Sequence, residues 1–172
     1  MSNKRIERLR DKLVDRGMAS HRPPPLNPQP GPEALAILQR VRPFAEAMYL
    51  VLAADGEIDE RERDVLRGAL RTLTDGLLST TSMEELLTEF AKARARHGLE
   101  LRLDDVASAL YGDPNDAELV LGLMAAAAEA DGRLGAAEQS IIIALGDRLG
   151  IAHAHLYELL YGGEADQRVT PT

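Results

Sequence analysis

The sequence predicts an all-α fold built on a duplicated helix-turn-helix unit and preceded by an N-terminal helical arm. Three observations predict it. First, the chain writes one phrase twice: Ala54-Asp55-Gly56-Glu57-Ile58-Asp59-Glu60-Arg61-Glu62 recurs as Ala130-Asp131-Gly132-Arg133-Leu134-Gly135-Ala136-Ala137-Glu138. At the same offset Met48 matches Met124, Val65 matches Ile141, Leu66 matches Ile142 and Leu73 matches Leu149, so the repeat runs into both flanking helices. Each copy then needs the other to bury its apolar face. Second, the chain is 45% hydrophobic but only 3% aromatic and has no Trp, an Ala- and Leu-dominated composition that packs as close helices rather than sheets. Third, apolar residues recur at helical spacing between glycine and proline stops.

In chain order, residues 1–18 read as a basic amphipathic arm. Ile6, Leu9, Leu13 and Val14 sit near helical spacing over residues 3–17 among Arg5, Arg8, Arg10, Lys12 and Arg16, with Gly17 as a stop. Residues 19–32 form a proline-rich linker, because Pro23, Pro24, Pro25, Pro28, Pro30 and Pro32 fix φ and keep the residues before them out of the α-region. The domain spans residues 33–163. Its first helix places Leu35, Ile37, Leu38 and Val41 on one face until Pro43 breaks or restarts it, and a helix from Pro43 to Ala54 follows. Val65, Leu66, Ala69, Leu70 and Leu73 mark the next helix, stopped near Asp75-Gly76. Ser82-Met83-Glu84-Glu85 reads as a capping-box start for a helix to Gly98, with a short helix around Asp104 to Tyr111. Asp113-Pro114 supplies an N-cap and a first-turn proline for a helix through Ala130. Ile141, Ile142, Leu145 and Leu149 face the core on the next helix, Gly150 closes it, and Ile151 to Tyr161 forms the last before a Gly-Gly stop. Residues 164–172 read as a flexible tail.

Charge is divided unevenly. Residues 1–30 carry seven Lys/Arg against three Asp/Glu, whereas residues 31–172 carry thirteen against twenty-five. An acidic body repels phosphate backbones and attracts cations or basic partners, so nucleic-acid binding by the domain is not expected. The absence of cysteine removes disulfides, thiolate metal sites and a Cys nucleophile. The longest nearly uncharged stretch, Leu119 to Ala128, is half of the roughly 20 residues a spanning helix requires, and the N-terminus lacks the apolar segment of a signal peptide. The expected location is cytoplasmic, with peripheral contact at the inner membrane through residues 3–17 as an option.

The repeated phrase has two readings. In the structural one, Gly takes a left-handed C-cap conformation, Ile58 or Leu134 tucks into the core, and Asp59 caps the next helix while Glu62 reaches back to complete a capping box. Gly135 is a poorer cap in the second copy, leaving Glu138 less structural work. In the second reading the phrase binds a cation. Asp55 and Asp131 lie where helix carbonyls gather negative charge, which disfavours a carboxylate by about 0.3–1 kcal/mol unless a cation is present. Asp55, Glu57, Asp59, Glu60 and Glu62 are hard oxygen donors that suit Ca²⁺ or Mg²⁺. An EF-hand is not expected: positions 5, 6, 8, 9 and 12 of its loop match Asp55, Gly56, Ile58, Asp59 and Glu62, but the first and third ligand positions would fall on Val51 and Ala53, or on Ala127 and Glu129.

The blocks LAADGEIDERERDVL and AAEADGRLGAAEQSII together resemble the paired signature of the TerB-like family, over about Pro43 to Tyr161. The resemblance implies a helical bundle of about seven helices around a four-helix core, with an acidic surface linked to metal binding. It implies roles in tellurite and other stress responses, in phage defence, and in complexes at the inner face of the membrane. The positions it carries over as metal ligands are Asp55, Glu62, Asp131 and Glu138. Gly135-Ala136 departs from the polar residues usual before the second Glu, and the arm and linker lie outside the family pattern.

Other constellations are poor in chemistry. His21, His97, His153 and His155 offer no chelating pair at helical spacing, and the Ser79 to Ser82 cluster reads as loop and cap. With no nucleophile elbow, phosphate loop or nucleophile–base pair, an enzyme is not expected. The expected function is a non-enzymatic acidic adaptor of a bacterial stress, tellurite-resistance or defence system, responsive to a divalent cation. The alternative is a metal-independent assembly module that docks on a protein or membrane-associated partner through its arm.

Overall fold

Pro32 at the first helical position has no N–H to leave unsatisfied, and it opens α1 (Pro32–Leu52). The structure, a computed structural model, describes residues 31–131 and 134–161, with the side chain of Asp131 also left out. The expected arm, most of the linker and the tail lie outside these residues. Among the described residues there are six α-helices and no strand: α1, α2 (Glu60–Leu73), α3 (Thr80–Leu110), α4 (Pro114–Ala128), α5 (Ala136–Arg148) and α6 (His153–Tyr161), with a 3-10 turn at Glu129–Asp131.

The all-α expectation holds, with two differences in how helices join. Pro43 lies inside α1 and neither breaks nor restarts it. A proline removes one ladder bond, but Val41, Phe44, Ala45, Ala47 and Met48 are all fully buried around it, and that packing carries the helix through. Leu35, expected on the inner face, is instead 46% exposed, ahead of the segment where α1 is enclosed. The chain also passes directly from one helical rod to another at Gly98, whose φ of 79° and ψ of 164° are not helical, so α3 is two rods joined at a glycine. The expected short helix at Asp104 therefore begins earlier, at Leu99. Helix α3 also starts earlier than Ser82 implied. Ser79 is the N-cap, its hydroxyl oxygen accepting from the Ser82 N–H at 3.1 Å. Six helices with one divided in two replace the expected seven.

α1 is the central element, packing on α4, α3, α5 and α2. The two hairpins, α1–α2 and α4–α5, face each other through α1 and α4, where Met48 and the matching Met124 are both fully buried. Alanines 125–128 on α4 are buried as well, and small side chains of this kind let helix backbones approach closely. The two rods of α3 brace the hairpins from outside. Arg67 of α2 holds Glu84 of the first rod at 2.6 Å, and this hydrogen bond keeps the Glu84 carboxyl below the usual carboxylate range. Arg148 of α5 holds Asp104 of the second rod at 2.6 Å. Beneath them Arg102 pairs with Glu46 of α1, a carboxylate that is almost fully buried.

Candidate functional site: the cleft between the two elbows

Each repeat turns through an elbow between its two helices. In the first, the ladder of α1 runs out through Ala53 N–H to Tyr49 carbonyl, Ala54 to Val51 and Gly56 to Ala53. Gly56 has φ of 147°, which side-chain-bearing residues rarely adopt, so glycine is needed here. The expected left-handed helical cap is not what it forms: Ala53, at φ −82° and ψ 17°, is the C-cap, and Gly56 sits further out in the turn. Arg94 of α3 reaches across to donate to the Gly56 carbonyl at 2.7 Å. The charge of the same guanidinium also acts on the Tyr49 phenol. Burial pushes the Tyr49 pKa up, and Arg94 partly offsets it.

The next helix starts as its sequence dictates. Asp59 is extended at φ −79° and ψ 178°, its Oδ1 accepts the Glu62 N–H at 2.9 Å, and Glu62 Oε2 accepts the Asp59 N–H at 2.6 Å. This reciprocal pair satisfies two donors that the first turn would otherwise leave open. The second elbow keeps half of the device. Glu138 Oε2 accepts the Gly135 N–H at 2.6 Å, while Gly135 has no side chain to return the bond. Glu138 therefore does more structural work than the missing cap suggested.

Because the hairpins face each other, these two glutamates meet in one place. Glu62 and Glu138 both line a cleft of about 320 Å³, together with Asp59 and Arg61. Its apolar lining comes from Leu52, Ala127 and Ala128, which are buried, and half-buried Val65. Three carboxylates and one guanidinium line the cleft.

The four residues carried over as metal ligands separate accordingly. Glu62 and Glu138 are brought together; Asp55 is exposed on the outer turn and does not line the cleft. The backbone of Asp131 closes the 3-10 turn after α4, and its side chain lies outside the described residues. Glu60, one of the five carboxylates in the first elbow, faces Arg67 at 2.8 Å and Arg63 at 3.7 Å. Among the described residues no group of three or more His, Asp or Glu is arranged to hold a metal ion. The cleft offers hard carboxylate oxygens, the donor type of Ca²⁺ and Mg²⁺ sites, without a set of them arranged to enclose an ion among the described residues. Sequence reasoning missed Asp59 and Arg61 as cleft residues. Asp59 was legible as a cap and as one of five oxygen donors of the first elbow, and the arrival of Glu138 beside it depends on how the hairpins face each other.

The family described as tellurite resistance protein TerB matches residues 43–159, about two thirds of the chain. The chain belongs to the TerB family. The TerB match begins at Pro43, inside α1, and ends inside α6, so both elbows and the cleft fall within it. No curated protein and no solved structure matches the chain.

Two histidines of this TerB-family domain lie against carboxylates. His153 Nε2 lies 2.7 Å from Asp147, and His155 Nε2 lies 2.9 Å from Glu118, so the two imidazoles turn to different partners. Among the described residues no helix is long and apolar enough to cross a membrane.

Proposed function

We propose that this TerB-family protein is a non-enzymatic adaptor whose working surface is the acidic cleft between its elbows, and that a divalent cation tunes that surface. The observation that supports the reading is the meeting of Glu62 and Glu138, one from each repeat, with Asp59 in a single cleft. A hydrated Ca²⁺ or Mg²⁺ held there lowers the negative potential that a basic partner meets. Asp55, exposed on the turn beside the cleft, adds negative charge near it. The setting implied by the family is a bacterial stress, tellurite-resistance or defence system in the cytoplasm, with partners that include a complex at the inner membrane.

Calorimetric titration of the full chain with Ca²⁺ and Mg²⁺ tests the cation reading. Binding in the millimolar range is expected, weakened strongly in the double variant Glu62→Gln/Glu138→Gln. Glutamine keeps the capping acceptor and removes only the charge. No heat at millimolar ion, or undiminished heat in the double variant, rejects the reading.

A second reading is favoured by a specific observation: both glutamates already serve as helix caps, and no cluster of three ligands surrounds them among the described residues. In that reading the domain is a metal-independent assembly module that docks through its N-terminal arm, and partner capture by the full chain is unchanged by chelator.

A further inference from the structure

We propose that the elbow cleft is the docking seat of the chain's own N-terminal arm, residues 3–17, so that the free protein covers its acidic working surface with its own basic segment. The inference concerns the same cleft as the proposed function but needs no cation.

Three observations converge on it. The first is charge. The cleft presents Asp59, Glu62 and Glu138 against Arg61, and the exposed acids Asp55 and Glu57 lie on the adjoining turn. Residues 3–17 carry six Lys/Arg against three Asp/Glu. Two other clefts of comparable size lack this bias. One of about 430 Å³ balances Arg40, Arg42 and Arg102 against Glu46, Asp105 and Asp116, and another of about 410 Å³ sets Asp104 against Arg148.

The second is chemistry of fit. The cleft has an apolar lining at Leu52, Val65, Ala127 and Ala128 and charged groups nearer solvent. Long basic side chains lay an aliphatic stem on apolar surface and keep the charged head among carboxylates, so one or two arginines or lysines of the arm match this lining. The aliphatic residues Ile6, Leu9 and Leu13, interleaved with those bases, supply further apolar contact beside it.

The third is reach. α1 has 21 residues and so spans about 30 Å from its start at Pro32 to the elbow at its far end. A polyproline-like chain as long as residues 18–31 can reach about 40 Å at about 3.1 Å per residue. The linker is therefore long enough to carry the arm along α1 to the elbow of the same molecule, and its proline content keeps the search volume small.

A basic partner or a divalent cation must then compete with the arm for the cleft or bind beside it. The arm's attraction to the cleft falls with ionic strength, since the Debye length shrinks from about 10 Å at 0.1 M salt to about 3 Å at 1 M.

The chain has no cysteine, so Asn3→Cys gives the full-length protein a single thiol for a nitroxide label. In isotope-labelled protein without divalent ions, at low salt, the amides of Asp59, Glu62, Val65, Ala127, Ala128 and Glu138 should lose intensity selectively. The loss should vanish in 1 M salt and in Glu62→Gln/Glu138→Gln. An arm variant, Arg5→Gln/Arg8→Gln/Lys12→Gln, leaves the domain sequence intact and should also abolish it, which covers the case in which the cleft variant folds poorly. Broadening elsewhere, or none, overturns the proposal. So does broadening that appears only when spin-labelled chain without isotope is mixed with labelled chain, because the occupant is then the arm of a second copy. A chain that docks its arm yet gives no heat with Ca²⁺ keeps this inference and loses the cation reading; heat without arm contact does the reverse.

Discussion

Glu46 is the residue whose neighbourhood the sequence concealed most completely. It lies on the buried face of α1, 4% exposed, and Arg102 arrives from a helix 56 positions away to meet it. Nothing in the local pattern of either segment announces that pair, because it depends on where the second rod of α3 crosses α1. Removing one partner of a buried pair strands the other charge, so Arg102→Met should destabilise the fold by about 3–5 kcal/mol, and Glu46→Met/Arg102→Met by clearly less. Urea unfolding of the single and double variants checks both. The caps, by contrast, were readable from a few neighbours: Asp59 and Glu62 bond each other across three residues, a distance over which sequence dictates geometry. Tyr49 gives a prediction on the alkaline side. Its folded pKa is raised by burial, so the fold holds the phenol proton more tightly than the unfolded chain does. That stability is fully present below the unfolded pKa of about 10 and is lost as pH rises through the folded value. A phenolate absorbance titration should show Tyr49→Phe removing the last tyrosine to ionise, and unfolding at high pH should become less steep in that variant.

At the scale of elements, apolar periodicity located the helices and left their junctions ambiguous. Pro43 and Gly98 are both helix breakers by local chemistry, and the structure treats them differently. Pro43 is overridden by a face that is enclosed on every side, whereas Gly98 departs from helical dihedrals on an exposed stretch. Local propensity decides where tertiary packing is weak, and yields where packing is strong. Packing also sets the demand at Gly146, which a helical pattern reads as an ordinary interior glycine. A Cβ there would come within 2.2 Å of Leu156 Cδ1, so a methyl group at this contact between α5 and α6 forces the buried Leu156 side chain to shift. Gly146→Ala should lower stability by about 1–3 kcal/mol through overpacking, with the change concentrated in α6. Denaturant unfolding gives the total, and amide exchange in His153–Tyr161 gives its location.

At the scale of the molecule, the repeat proved the most dependable signal, because it constrains two hairpins at once. The faces it pairs, with Met48 and Met124 both at 0% exposure, form the interior. Each hairpin covers the face that the other buries, so residues 31–112 and 113–161 made separately should lose much of their structure and should regain helix when mixed. Circular dichroism of each fragment and of the mixture decides this, and a stable lone fragment would contradict it. The candidate site was half legible for the same reason. Its acids could be counted along the chain, but their convergence is a property of the pairing of repeats, which no single motif encodes.

The glycine joint in α3 bears on that pairing. The rod before it is tied to α1 and α2 through Glu89 and Glu84, and the rod after it to α1 and α5 through Arg102, Asp104 and Glu100. Nothing lies within 4 Å of where a Cβ would stand on Gly98. Because both rods hold the same central helix, a joint that carries no packing of its own lets one continuous segment change direction there and clamp the outside of both hairpins.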